Sequence, residues 1–369
     1  MDEGKARGPA GIEKVIKAGD VFRARIDGQL VPLTKQRLTP EQTRAIALRL
    51  IPSEEDKERI EWLRDYDCSW GMPGVGRFRV NILRQRSSFM IVMRVIPFDV
   101  PSFESLQLPA VLQAVASVPQ GIILVTGLAG SGKSSTMAAM VNHINQTAQR
   151  HIVTLESPIE FLHRDIKASV TQREVGVDTD DYRRGLRAAL RQDPDVLLVG
   201  DMGDAGLLDT ALKAAETGHL VISAVDTPDV VTTIHRLMTM SPPEEQQAIR
   251  VRLAQALRAI VSQRLVPRAD GHGRAAAVEI LIATGEVPDI IRDPERTEHL
   301  QVYIATSRAQ FGMQTFDQHL VDLALAGTVT AEGAVAAATN RAEVETLTSG
   351  LRKRPAPQVA SLSQIFPPS

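Results

Sequence analysis

The chain has 369 residues, 43% of them hydrophobic, with 42 basic and 44 acidic residues and a formal net charge of -2. This length predicts two folded domains plus short tails, and the near-neutral charge argues against a broad basic surface for nucleic acid. The single cysteine, Cys68, excludes an internal disulfide and a four-cysteine metal site. The sequence has no apolar run long enough for a membrane span and no apolar signal region, so we expect a cytoplasmic protein.

The first hundred residues have the pattern of a small α+β domain. Short alternating runs begin at Val21, and a pair of strands is predicted over residues 77–83 and 89–96. Residues 98–107 carry Pro101 and end near Pro109, which favours a hinge. We therefore predict a disordered segment, an N-terminal domain and a hinge over residues 1–20, 21–100 and 101–112.

Residues 113–345 alternate short apolar strands with helices, which predicts an α/β domain built on a mostly parallel sheet. The predicted strands cover residues 122–126, 152–155, 196–199, 220–225 and 276–282. The predicted helices cover residues 180–192, 204–217, 229–240 and 243–263, and several of them open with aspartate. Residues 353–369 are rich in Pro, Ser and Gln, and we predict a disordered tail over residues 346–369.

The strongest local signal is a glycine-rich segment directly after the first of these strands. It matches G-x-x-x-x-G-K-[ST] between a strand and a helix, the context of a phosphate-binding loop. Its backbone amides can surround phosphate oxygens, Lys133 is expected to reach the β- and γ-phosphates, and Ser134 is expected to ligate Mg²⁺. We therefore predict ATP and Mg²⁺ as cofactors. The predicted ATP-binding residues of this segment are Gly127, Gly130, Ser131, Gly132, Lys133, Ser134 and Ser135.

Two acidic residues follow later strands and are expected at the same edge of the sheet. Glu156 follows the strand predicted over residues 152–155, where a carboxylate can orient an attacking water and accept its proton. Asp201 follows the strand predicted over residues 196–199, where an acidic group can hold Mg²⁺ or its waters. Taken singly, each acid is also compatible with a helix cap or a solvated side chain.

Several sequence boxes resemble those of the PilT-type secretion ATPases, the retraction ATPases of type IV pili, from about Val21 to Val344. They include the phosphate-binding loop, the boxes at Glu156, Asp201 and His219, and residues 73–81 of the first domain. The resemblance implies a PAS-like N-terminal domain followed by a RecA-like P-loop NTPase domain. It further implies a ring of six chains that withdraws pilin through an inner-membrane platform protein, at the inner face of that membrane.

The resemblance also assigns roles to single residues. Glu156 becomes the general base, Asp201 the Walker B acid and His219 a sensor near the γ-phosphate. Taken alone, a histidine at the start of a strand is more often structural.

Three arginines become the side chains that the first domain offers to ATP: Arg77, Arg79 and Arg94. Arg77 and Arg79 alternate with apolar residues, which predicts one cationic strand face. Arg94 lies in an apolar run, and a buried guanidinium needs an anionic partner. A solvent-facing or salt-bridged role stays open for each of them.

Four positions depart from the family pattern: Ser157 and Gly203 replace an aspartate and an arginine, and Asp201 and Asp226 replace a glutamate and a histidine. Shortening Glu to Asp withdraws the carboxylate by about one carbon–carbon bond, and a misplacement of about 1 Å can cost on the order of 10²-fold in rate. We therefore expect nucleotide binding to survive and leave the rate of hydrolysis open.

Two functional hypotheses follow. The first is an ATP-hydrolysing hexameric motor for pilus retraction, and hence twitching motility, or for a related secretion platform. The second is a weakly hydrolysing accessory paralogue that binds ATP and the main retraction motor. A DNA-handling ATPase is a third reading, which the lack of a basic stripe disfavours. Residues 287–294 occupy the place of a family segment tied to retraction, so we predict a helix that binds neighbouring subunits or the platform, with a plain amphipathic surface helix as the alternative.

Overall fold

The computed structural model describes residues 13–26, 29–72, 76–96 and 99–350. By their internal contacts these residues divide into two units. One unit comprises the described residues up to Phe103, together with Leu112–Ile123 and Ser134–Ala224. The other comprises Glu104–Val111, Leu124–Lys133 and the described residues from Val225 onwards. Within the described ranges, no helix is long and apolar enough to cross a membrane.

An antiparallel sheet with two helices forms before residue 97. Its elements are β1 (Glu13–Lys17), β2 (Val21–Ile26), β3 (Gln29–Arg37), α1 (Pro40–Leu50), α2 (Glu54–Glu58), β4 (Asp65–Met72), β5 (Gly76–Gln85) and β6 (Ser88–Ile96). The strands lie side by side in the order β3-β2-β1-β6-β5-β4. Helix α1 begins at a capping box made by Thr39 and Gln42, with Pro40 in its first turn. Its Ala47 and Leu50 join Val80 and Ile91 in the core beneath the sheet.

The alternation predicted for strand β5 is present. Phe78, Val80 and Ile82 are buried, whereas Arg77 is half-buried and Arg79 is exposed. One face of the strand therefore belongs to the core and the other presents cations.

The prediction of a disordered segment over residues 1–20 is wrong for Glu13–Lys17, which form strand β1 between β2 and β6. Ile16 anchors this strand because its side chain is buried in the core. Three of its five residues are charged, so the sequence pattern does not reveal the strand. Residues 1–12 of the predicted segment, and residues 73–75 of the first-domain box, lie outside the described residues.

A second, larger sheet follows. Its strands are β7 (Gly121–Thr126), β8 (His151–Glu156), β9 (Ser169–Glu174), β10 (Val196–Val199), β11 (Leu220–Val225), β12 (Leu257–Pro267) and β13 (Arg274–Ile282). Their order is β13-β12-β7-β11-β10-β8-β9. Strand β10 runs parallel to β8 and β11, and β8 runs parallel to β9, whereas β12 and β13 form an antiparallel pair. Strands β7, β10 and β11 are buried along their whole length, which is typical of a sheet covered on both faces.

Helices connect these strands and complete the chain. They are α3 (Val111–Ala116), α4 (Lys133–Thr147), α5 (Tyr182–Ala189), α6 (Ala205–Glu216), α7 (Val230–Thr239), α8 (Pro243–Ala256), α9 (Val287–Arg292), α10 (His299–Thr306), α11 (Arg308–Phe311), α12 (Phe316–Leu325), α13 (Ala331–Ala337) and α14 (Arg341–Thr348). Asp181, Asp204 and Asp229 cap helices α5, α6 and α7 through their carboxylates. The aspartate signal in the sequence thus marks three helix starts.

The predicted helix over residues 243–263 is wrong beyond Ala256. Residues Leu257–Pro267 form strand β12, which pairs with β13 from Ala259 to Pro267. The mostly apolar stretch at its start is compatible with a helix or a buried strand, and its pairing with a distant segment decides between them. Sequence reasoning also missed β9, because its mostly polar sequence resembles a loop.

The predicted tail over residues 346–369 is wrong at its start because helix α14 continues to Thr348. The part of the tail from residue 351 onwards lies outside the described residues. Helix α3 begins at Val111, inside the predicted hinge, and the predicted domain boundaries stay predictions.

Candidate active site

The phosphate-binding loop connects strand β7 to helix α4. Gly127, Gly130 and Gly132 have positive φ angles of 148°, 78° and 92°, which favour glycine. At Gly127 a Cβ atom would also lie 2.3 Å from Ser131 Oγ and 2.6 Å from the Gln263 carbonyl oxygen. The loop therefore needs glycine for its backbone angles and, at Gly127, for space.

Strand β12 supports this loop. The Gln263 side chain donates a hydrogen bond to the Ser131 carbonyl oxygen at 2.7 Å, and Thr126 Oγ1 donates to Ser262 Oγ at 2.8 Å. Ser262 and Gln263 are both buried. Sequence reasoning missed Gln263 because it assigned residue 263 to a helix, and no local motif marks it as part of the site.

Lys133 opens helix α4 and makes three contacts within the protein. Its Nζ donates to the carbonyl oxygens of Gly127 at 2.8 Å and Leu128 at 3.3 Å, and it forms an ion pair with Asp226 Oδ1 at 2.7 Å. Asp226 directly follows β11, at the position where the family pattern has a histidine. The side chain of Lys133 is only 13% exposed, whereas that of Asp226 is 70% exposed.

Ser134 and Ser135 occupy the first turn of α4, and Ser134 lines a small cavity together with Glu156. We call this space the Glu156 cavity. Its polar lining residues are Ser134, Glu156, Ser157, Glu160, His163 and Tyr182. A hydroxyl and a carboxylate that are 22 positions apart in the sequence thus face one space, as predicted from the strand ends.

Glu156 ends strand β8 and is held by two neighbours. Thr154 Oγ1 donates to Glu156 Oε1 at 2.7 Å, and Gln172 Nε2 donates to the same oxygen at 3.0 Å. Burial raises the pKa of the Glu156 carboxyl, and these hydrogen bonds oppose the shift in part. A carboxylate with a raised pKa is a better proton acceptor than an exposed one.

Asp201 follows strand β10 and is exposed. Burial raises the pKa of the Tyr182 hydroxyl well above its usual range, and the charges of Asp201 and Glu156 add to that effect. Tyr182 also crowds the turn after β10, because a Cβ atom on Gly200 would lie 2.8 Å from its hydroxyl oxygen. Sequence reasoning missed Tyr182, which opens helix α5 without belonging to any quoted box.

His219 lies at the opposite edge of the sheet from Glu156 and Asp201. It precedes β11, whose Leu220 pairs with the first residue of β10, whereas Glu156 and Asp201 stand at or beyond the ends of β8 and β10. These strands are parallel, so their starts and ends define different edges. The His219 Nδ1–H donates to the Ala214 carbonyl oxygen at 2.9 Å, a local structural bond. His219 thus lies away from the sheet edge that carries Glu156, and its role as a sensor near the γ-phosphate stays a prediction.

Arg77 forms an ion pair with a buried carboxylate. Its Nη2 lies 2.7 Å from Glu174 Oε2, which also accepts hydrogen bonds from Ser69 Oγ at 2.7 Å and from the Ile159 amide at 3.2 Å. Arg77 Nη2 donates to Ser69 Oγ as well. The salt-bridged alternative therefore holds for Arg77.

Arg79 and Arg94 lie opposite each other on β5 and β6. Arg79 forms a longer ion pair with Glu160, at 3.6 Å, and both side chains are partly exposed. Arg94 is exposed, so the expectation of a buried guanidinium is wrong; the side chains of β6 alternate, and this residue takes an outward position.

The segment predicted to couple the motor to its machine forms helix α9. Val287, Ile290 and Ile291 are buried, and Arg250 Nη1 donates to the Ile291 carbonyl oxygen at 3.0 Å. Arg292 forms an ion pair with Asp289 within the helix, at 2.6 Å. Ile291 therefore belongs to the interior and is not available as a docking contact.

Over residues 23–350 the chain matches the type II/IV secretion system protein family. It is 35% identical over 356 residues to PilU, a type IV pilus ATPase of Pseudomonas aeruginosa, which covers 96% of this chain and 92% of PilU. It is 40% identical over 320 residues to the type IV pilus retraction ATPase PilT of the same organism, which covers 86% of this chain and 92% of PilT.

Comparison with solved structures supports the same family. The crystal structure of the pilus retraction motor PilT with bound ADP matches with a TM-score of 0.82 at 40% identity, covering 91% of this chain and 95% of that one. The ATPase DotB of Legionella pneumophila matches with a TM-score of 0.73 at 27% identity, covering 88% and 92%. These similarities confirm the predicted fold, a RecA-like P-loop NTPase domain preceded by a smaller PAS-like α+β domain. The chain therefore belongs to the type II/IV secretion system protein family and is a PilT-like type IV pilus ATPase.

Proposed function

We propose that this chain hydrolyses ATP in the presence of Mg²⁺ and uses the reaction to power type IV pilus retraction. The observation that carries the proposal is the Glu156 cavity, where the Ser134 hydroxyl and a carboxylate of raised pKa face one space. ATP hydrolysis needs a base beside the γ-phosphate of the nucleotide, and a half-buried Glu at that place suits the role. The similarity to PilT, a retraction ATPase, supports the cellular process.

Each residue then has one task. The backbone of the phosphate-binding loop binds the phosphates, and Lys133 neutralises part of their charge. Glu156 accepts the proton of the attacking water, while Thr154 and Gln172 fix its orientation. Asp201, which lies just beyond β10, would hold Mg²⁺ or its waters. The mechanism thus depends on positioning and charge, as phosphoryl transfer generally does.

The residues present fit Mg²⁺ as a cofactor. No group of three or more His, Cys, Asp or Glu side chains in the described part of the chain could hold a metal by itself. Mg²⁺ typically binds one or two protein oxygens together with phosphate oxygens and waters. The Ser134 hydroxyl and a nearby carboxylate would therefore be enough protein ligands for the ion. When bound, the ion neutralises charge on the transferred phosphoryl group.

Assembly and partners belong to the same proposal. We infer a ring of six copies that acts on an inner-membrane platform protein from its cytoplasmic side. Arg77, Arg79 and Arg94 stand together on one face of the first sheet, and we propose them as the side chains that the first domain offers to ATP.

A second function is favoured by one observation, the ion pair between Lys133 and Asp226 at 2.7 Å. A carboxylate on the phosphate-binding lysine competes with phosphate, which suits a slowly hydrolysing accessory subunit that binds ATP and the main retraction motor. The similarity to PilU over 96% of this chain is compatible with this alternative.

Steady-state phosphate release separates the two functions. We expect the purified assembly to turn over ATP well above a Lys133→Gln variant, and the wild-type gene, but not that variant, to restore retraction of fluorescently labelled pili in cells lacking it. Turnover equal to that of Lys133→Gln, together with retained ATP binding, would favour the accessory role.

A further inference from the structure

We propose that His163 is a further residue of the catalytic site, whose Nε2–H donates a hydrogen bond to the water that Glu156 deprotonates. The inference rests on the proposed function, because it concerns the same water. His163 does not belong to the residues that the sequence motifs single out, and it follows the acidic box by only a few positions.

The first observation is the place of His163 in the Glu156 cavity. The cavity has a volume of about 60 Å³ and is lined by both His163 and Glu156. A space of this size holds a small number of water molecules, for which polar partners on two sides are needed. Glu156 supplies a proton acceptor on one side, and His163 supplies a ring nitrogen on another.

The second observation identifies which nitrogen acts. His163 Nδ1 is buried and has no hydrogen-bond partner among the described residues. A buried N–H group without an acceptor is rarer in proteins than a buried acceptor without a donor, so the proton belongs on Nε2. Since Nδ1 is inaccessible and His163 lines the cavity, Nε2–H is the group that can reach a water there.

The third observation ties His163 to the base. The backbone N–H of His163 donates to Gln172 Oε1 at 2.9 Å, and Gln172 Nε2 donates to Glu156 Oε1 at 3.0 Å. The same Nε2 also donates to the Phe161 carbonyl oxygen at 2.9 Å. One amide side chain thus fixes the loop that carries His163 and the carboxylate that takes the proton.

The protonation state of His163 allows it to donate a hydrogen bond to the water without competing with Glu156 for the proton of that water. Burial lowers the pKa of His163 to about 4, so the ring is neutral at physiological pH. A neutral ring with its proton on Nε2 can only donate towards the water. The water keeps one lone pair for the attack on phosphorus and gives its proton to Glu156.

The test compares His163→Leu, which removes the donor, with His163→Gln, which keeps an amide donor of similar reach. His235→Gln is the matched control, because His235 lies on the surface with Glu298 and outside the site. For each purified protein, phosphate release gives kcat and KM, and calorimetry with ADP gives a binding constant that needs no hydrolysis.

We expect His163→Leu to lower kcat by about 10- to 100-fold, because the attacking water loses one of the groups that position it. KM and the affinity for ADP should stay within about twofold of the wild type. His163→Gln should recover at least part of kcat, and the acid limb of its pH profile should match that of the wild type, since the limb belongs to Glu156. An unchanged kcat in His163→Leu, or a loss of ADP binding equal to the loss of kcat, would overturn the inference and leave the proposed function intact. Wild-type turnover no higher than that of Lys133→Gln would overturn both.

Discussion

The ammonium group of Lys133 lies 2.7 Å from the carboxylate of Asp226, so the phosphate-binding lysine has an anionic partner within its own chain. Two loop carbonyl oxygens accept its other hydrogen bonds. An ammonium group has three donors, and all three have partners. The phosphates of ATP can contact Lys133 only if they displace Asp226 or bind next to its negative charge.

Removal of this charge should therefore tighten nucleotide binding. For Asp226→Asn we expect ADP and ATP to bind about 3- to 10-fold more tightly, because a half-exposed ion pair is worth roughly 0–1 kcal/mol and repulsion of the phosphates is also relieved. Calorimetry measures the change, and Asp209→Asn, which removes another exposed carboxylate paired to a lysine, should leave affinity unchanged. Weaker binding in Asp226→Asn would mean that Asp226 helps to hold the nucleotide.

The raised pKa of Glu156 sets the pH dependence of turnover. Glu156 acts as a base only when it is deprotonated, and burial raises its pKa above the ordinary 4.5. We expect kcat to fall as the pH is lowered through a midpoint above 4.5, and to be independent of pH on the alkaline side of that midpoint. A pH series of phosphate release on saturated enzyme measures it, with unfolding monitored in parallel. A midpoint at or below 4.5 would contradict the role of burial.

The ion pairs that Arg77 and Arg79 form should differ in their contributions to stability. Glu174 is 4% exposed and satisfies Arg77, Ser69 and the Ile159 amide, whereas the pair of Arg79 with Glu160 is longer and partly exposed. We expect Glu174→Gln to lower the free energy of unfolding by about 2 kcal/mol, because Arg77 loses its anionic partner. Glu160→Gln is the control and should cost less than about 1 kcal/mol. Urea denaturation compares them, and equal effects would refute the distinction.

Two glycines of the phosphate-binding loop give a second matched pair. Alanine at Gly127 would place a Cβ atom 2.3 Å from Ser131 Oγ, whereas alanine at Gly130 would meet nothing within 4 Å and suffer only from a φ of +78°. We expect Gly130→Ala to cost about 1 kcal/mol of stability and to keep ADP binding. Gly127→Ala should cost clearly more, and ADP binding should be lost, because the loop has to shift. Thermal denaturation and ADP calorimetry test both, and similar behaviour of the two variants would argue against the crowding.

Stability should also depend on pH through Glu279, a buried carboxyl on β13 that accepts a hydrogen bond from the Val230 amide at 2.9 Å. Burial raises its pKa from 4.5 to about 7. Between these values the unfolded chain loses the proton while the folded chain keeps it, so this group lowers stability as the pH rises and has its full effect above about pH 7.

The shift corresponds to about 3 kcal/mol. We therefore expect Glu279→Gln to match the wild type near pH 5 and to be more stable by up to that amount near pH 8. Buried His163 and His319 act in the opposite direction at low pH, and the difference between variant and wild type removes their contribution. A stability difference that does not change between pH 5 and pH 8 would show that Glu279 ionises normally.

Features that depend on neighbouring residues could be predicted from the sequence. The phosphate-binding loop is marked by glycines that its backbone angles require. The three aspartate caps satisfy free amides at helix starts, and the alternation along β5 follows from the two-residue repeat of a strand. All three signals are local in the sequence. Glu156 and Ser134 could be placed together because the ends of parallel strands share an edge.

Features that depend on residues far apart in the sequence could not be predicted. Strand β12 differs from a helix only through its pairing with β13, and Gln263 became visible as a support of the loop only with that pairing. Arg77 and Glu174 are 97 positions apart, so their ion pair has no sequence signature. The sequence box of His219 also does not reveal on which edge of the sheet the residue lies: His219 precedes its strand, whereas Glu156 and Asp201 stand at or beyond the ends of theirs.

The role of Glu156 as the general base is best tested by single-turnover phosphate release from bound ATP, with the wild type measured beside Glu156→Gln. Both proteins should bind ATP with Mg²⁺ equally well, since the phosphate-binding loop is unchanged. We expect the wild type to release its phosphate while Glu156→Gln retains ATP, with a rate lower by at least about 10²-fold. Equal release rates in the two proteins would show that Glu156 is not the base.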